Sequence, residues 1–165
     1  MRDIIIEIFA NHSRIIIFFH VISAVLLIGS LFLIRFLIVP VFDKIEQEEV
    51  RYKAYLELIK YFLSFIFVVM FILITVSVFM NVGLGLKFGD QTTYIIAHTK
   101  EIVWSIMMLN FIVMYVKYKS AQKAMKNNVL VEVHENIVLI VKYLVPANLV
   151  ISLLSVYLGI IIRGF

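Results

Sequence analysis

Four apolar runs, 15–39, 59–86, 94–118 and 137–162, decide most of what this chain can become. At about 1.5 Å per residue each outspans the ~30 Å hydrocarbon core of a bilayer, so the helices tilt or their ends project. No alternation of apolar and polar residues competes with helix in any of them. A chain of 165 residues that is 63% hydrophobic and only 16% charged cannot hide that much apolar surface in a soluble domain of its own size. The expectation is an all-α membrane protein, one antiparallel four-transmembrane-helix bundle. The segment before the first run, MRDIIIEIFANHSR, sets Ile4, Ile5, Ile8 and Phe9 against Asp3 and Glu7. It is too short to span and reads as an N-terminal interfacial helix. A cleaved signal peptide does not fit, because the first run carries His20 and Arg35 and has no small-residue cleavage site followed by polar sequence.

The connections differ in character. The first, VFDKIEQEEVRYKAYLELIKY, has no glycine or proline after Pro40 and can continue as helix into the second run; the second, 81–93, carries Gly83, Gly85 and Gly89 and reads as a loop. The third is polar and basic, with Asn127-Asn128 as its turn. Lysines and arginines set the orientation. Nine flank the first and third connections, namely Lys44, Arg51, Lys53, Lys60, Lys117, Lys119, Lys123, Lys126 and Lys142; five, namely Arg2, Arg14, Lys87, Lys100 and Arg163, lie at the other end. In a bacterial-type inner membrane this predicts both termini on the periplasmic side. The net charge of +4 is accounted for by membrane anchoring, not by nucleic acid.

An ionisable side chain inside such a run is costly and marks a functional position. His20 lies five residues past the start of the first run and His98 four past the start of the third. Alternate runs are parallel, so the two imidazoles sit at one depth and on one side. With no cysteine in the chain, thiolate sites, Fe–S clusters and covalent c-type haem are excluded. Two facing histidines suit a buried haem iron or, as an alternative, copper. Lys100, Lys87 and Arg14 lie on the same side, where haem propionates require cations, although snorkelling to the interface is the commoner role for such residues. Met80 stands at the right level for copper, whereas Met107, Met108 and Met114 fall deeper and read as core. His12 precedes the first run and His134 sits in a charged connection; both read as solvated. Arg35 must reach the interface or pair within the bundle. Glu101, Asn110, Tyr143 and Asn148 are proton or quinone contacts in a redox reading.

With His20, Gly29 and Arg35 in the first run and His98-Thr99-Lys100 opening the third, the chain resembles the four-helix membrane family that includes HemJ-type protoporphyrinogen oxidases and CopD-like copper-resistance domains. The likeness covers most of the chain in topology, and the first run is nearer the CopD-like pattern of a histidine followed by small residues and glycine. The resemblance implies haem b, with His20 and His98 as axial ligands, Lys100 as the adjacent lysine and Arg35 as the helix-end arginine. It also implies electron transfer toward quinone or another respiratory-chain partner, or oxidation of a porphyrinogen. The competing class is a CopD-like copper transporter or resistance protein, and a third is a structural subunit of a larger complex. Homo-oligomers are compatible with each.

Overall fold

The computed structural model describes residues 2–162 and consists of four long helices. They are α1 (Arg2–Phe42), α2 (Glu48–Gly83), α3 (Gln91–Lys126) and α4 (Leu130–Ile162). Met1 and Arg163, the latter counted at the terminal end above, lie outside the described residues. Neighbours pack around a ring, α1 on α2, α2 on α3, α3 on α4 and α4 back on α1, which leaves α1 and α3 on a diagonal. The core is a narrow seam of Leu31, Met107, Met114, Ile140 and Val145. Outside it the helices remain apolar, with Phe67, Phe71, Leu109 and Val150 fully displayed. A helix that is hydrophobic all round belongs in lipid. The all-α four-helix bundle with a membrane-compatible exterior is therefore the observed architecture.

The helices outrun the apolar runs inside them. At 33 residues or more each reaches ~50 Å, beyond the ~30 Å hydrocarbon core. The N-terminal segment expected as an interfacial helix forms the first turns of α1, set off from the rest by a kink at His12 (φ −127°, ψ 20°). It also touches the bundle, because Phe9 is buried over Gly83 and the Arg2 guanidinium stacks 4.2 Å from the Phe88 ring. The glycine loop is shorter than its composition suggested. Helix α2 continues through Gly83, Gly85 turns the chain at φ +62°, and Asp90 starts α3. Asn128 takes φ 57° in the third connection, a conformation that asparagine tolerates better than most residues.

Each of the two prolines ends a π turn. Val39 donates its N–H to Ile34 O and Val145 donates to Ile140 O, five residues back instead of four, immediately before Pro40 and Pro146. A proline ring clashes with the carbonyl four residues earlier and has no N–H to give. Widening the preceding turn accommodates that clash without breaking the helix. The turns Ile34–Ile38 and Leu139–Leu144 touch one another at the end of the bundle away from the termini. That end is called the connection end below, and the other the terminal end.

Candidate functional site

His20 is half-buried on α1, and its Nδ1 lies 3.3 Å from Ser77 Oγ of α2. Ser23, in the next turn of α1, is buried. His98 belongs to the second turn of α3, whose start is set by Asp90. One Asp90 oxygen accepts from the N–H groups of Thr92 and Thr93 at 2.9 and 3.0 Å, and the other from the Thr93 hydroxyl at 2.8 Å. The Thr93 donors, followed by Thr92, hold the Asp90 carboxyl below its usual range, so the cap keeps its charge to lower pH than a free aspartate does.

From that start, His98 faces Glu101 one turn on, with Nδ1 3.2 Å from Oε2. The other Glu101 oxygen takes Lys87 Nζ at 2.8 Å, tying the glycine loop to α3. The Tyr94 ring meets the imidazole edge-on at 4.4 Å between centroids. The structure thus gathers His98, Glu101 and Lys87, and places His20 on the diagonal helix with a partner of its own. Lys100 points to α4, its Nζ 3.2 Å from where a Cβ on Gly159 would stand. Arg14 is exposed on α1, and His12 is exposed at the kink with Nδ1 3.3 Å from Ile8 O. Among the described residues no three His, Asp or Glu side chains converge as a metal cluster.

Deeper in the bundle a neutral polar seam joins α3 to α4. Asn110 donates to Asn148 at 3.2 Å, Asn148 donates to the Met114 sulfur at 3.6 Å, and the Ser152 hydroxyl, which donates to Asn148 O at 2.6 Å, lies 3.4 Å from the Met107 sulfur. Both methionines are buried in the helix–helix contact, which explains their depth by packing.

Compared with protein-family models, with curated proteins and with solved structures, the chain matches none of them.

The residue that sequence reasoning missed is His134. It is helical, in the second turn of α4, and its Nδ1 lies 3.1 Å from the hydroxyl of the buried Tyr52 on α2. Two clefts meet at this histidine. One of about 540 Å³ is bounded by Lys117, Ser120, Glu132, Glu135 and Tyr143; a smaller one of about 180 Å³ runs between α2 and α4 past Asp43, Arg51 and Lys142. The available signal was helical phase: His134 shares a face with Ile137, Val138 and Val141, three, four and seven residues on.

Proposed function

We propose that this chain is a multi-pass inner-membrane protein that binds haem b through His20 and His98 and carries electrons, as its resemblance to the HemJ/CopD-like membrane family implies. One observation supports the reading above the others: each imidazole meets a side-chain partner at Nδ1, Ser77 for His20 and Glu101 for His98. When Nδ1 carries the proton and donates it there, the lone pair stands on Nε2, which is how ligating histidines are oriented and made more basic. The donor set fits haem in chemistry, with two neutral nitrogen ligands and no thiolate. Lys100 and Arg14 are the cations for propionates at this end, and Lys87 serves there through its bridge to Glu101. Haem, when bound, supplies one-electron chemistry. The chain supplies ligand orientation, cations at the terminal end and an apolar surround.

The deciding measurement is the absorption spectrum and metal content of protein purified from haem-replete cells. A low-spin haem spectrum with one haem per chain is expected. Colourless protein with stoichiometric copper would replace the haem reading by the copper one, and protein with neither would leave a structural subunit.

The same proposal puts both termini and the glycine loop outside the cell membrane. Because the chain lacks cysteine, single cysteines report sidedness cleanly. Gln91→Cys is expected to react with an impermeant maleimide in intact spheroplasts and Lys123→Cys only after lysis. The reverse pattern inverts the orientation.

A further inference from the structure

Both π turns bring a cation to the same level of the bundle. Arg35 lies four residues before the end of the run 15–39, and Lys142 five past the start of the run 137–162. Each Cα is therefore roughly 6–8 Å inside the boundary at the connection end. A cation rooted at such depth reaches for the interface or for a counter-charge. Among the described residues no carboxylate lies within 4.0 Å of either. Asp43, the acid of the adjoining cleft, accepts the Tyr55 hydroxyl at 2.7 Å. Across that cleft Arg51 donates to Ile45 O at 3.0 Å and stands 3.5 Å from the exposed Glu48, a pairing weak enough for a better anion to displace.

The cleft itself is amphiphilic. Exposed His134 and Lys142 stand at its mouth, while buried Ile137 and Val141 form its inner wall. In the cleft's own lining Arg51 and Lys142 outnumber Asp43, so the lining is positive, with the exposed Glu48 as Arg51's displaceable partner. We infer that this cleft between α2 and α4 binds the phosphate of an anionic phospholipid at the headgroup level of the membrane. Arg51 offers the planar guanidinium that suits phosphate oxygens, and Lys142 a flexible ammonium that can follow the headgroup. The Tyr52–His134 pair lines the same cleft with a hydroxyl and an imidazole, groups able to donate to a phosphate or glycerol oxygen. Basic pockets between transmembrane helices hold anionic headgroups in this manner. Nothing in this site depends on what His20 and His98 hold.

The test titrates short-chain phosphatidylglycerol into the full chain in neutral detergent and reads the bound fraction by native mass spectrometry. One lipid per chain is expected to bind. Lys142→Gln and Arg51→Gln should each weaken it about fivefold, while Lys142→Arg, which keeps the charge, stays within about twofold of the parent. Lys123→Gln and Lys126→Gln, at the same end but outside the cleft, should leave binding unchanged. If these controls weaken binding as much as Lys142→Gln, the attraction is a diffuse surface effect and the site is refuted. Equal affinity for phosphatidylcholine would also refute it, as would displacement by equimolar inorganic phosphate, which would make the ligand a free anion.

Discussion

On the haem proposal, alanine at His20 or at His98 is expected to strip the protein of low-spin haem, and alanine at both to do little more than either alone. In the proposed centre each substitution would remove one strong-field imidazole from the same iron. Loss of a second-sphere partner alone commonly costs 10–100-fold in metal affinity, so loss of a ligand should lower the haem-to-protein ratio by roughly tenfold or more. The double mutant tests whether the two act on one centre: independent sites would add, whereas ligands of one haem have nothing left to lose after the first change. Ser77→Ala and Glu101→Gln should weaken haem retention less than the ligand changes, because they touch only Nδ1. His12→Ala and His134→Ala should leave the spectrum unaltered, since the first lies at the α1 kink and the second at the connection end. Full low-spin haem in His98→Ala would make His98 a helix–loop fastener through Glu101 and Lys87, and another residue would have to supply the second axial position.

Gly83→Val should be the most damaging single change outside the histidines. A Cβ at Gly83 would lie 2.2 Å from Phe9 Cγ and 2.6 Å from Phe9 Cβ, the rigid base of that side chain rather than a movable tip. The N-terminal turns of α1 must then lift away from α2, exposing Phe9 and straining the contact between Arg2 and Phe88. Overpacking of this kind costs about 1–3 kcal/mol. The readout is the thermal midpoint in detergent together with protease accessibility of the first turns of α1. Phe9→Ala should restore much of what Gly83→Val loses, because it removes the atoms that clash. If Gly83→Val matches the parent in both measurements, the N-terminal segment does not rest on α2.

The fold was legible because lipid leaves so few solutions. Backbone N–H and C=O groups inside a hydrocarbon layer must bond within their own segment or to a closed barrel, and four long runs without alternation leave only helices. The Asn127-Asn128 turn was equally legible, since Asn128 adopts the left-handed conformation that this residue type accepts. The boundaries were less so. Hydropathy ends where lipid ends, but a helix ends where its hydrogen bonds do, and so the run 15–39 became the helix Arg2–Phe42. Phe9 belonged to that helix through a contact with Gly83, which is 74 positions away in the chain.

The candidate site divides in the same way. Counting residues along parallel runs assigns His20 and His98 the same depth, and the absence of cysteine by itself rules out thiolate ligands. Which side chains meet those imidazoles depends on the rotation of each helix about its own axis, a quantity set by packing against neighbours. Only the assembled bundle therefore put Ser77 beside His20, turned Lys100 toward Gly159 and brought Lys87 across the loop to Glu101. The Tyr52–His134 pair joins residues 82 positions apart, and its members look like interface and loop residues until α2 and α4 lie side by side. Sequence alone determined the number of helices and their lipid-compatible character, because those depend on one-dimensional hydropathy and rise per residue. Tertiary structure alone decided facing and partnership, because a side chain's direction around a helix is a property of the contacts that lock that helix in place.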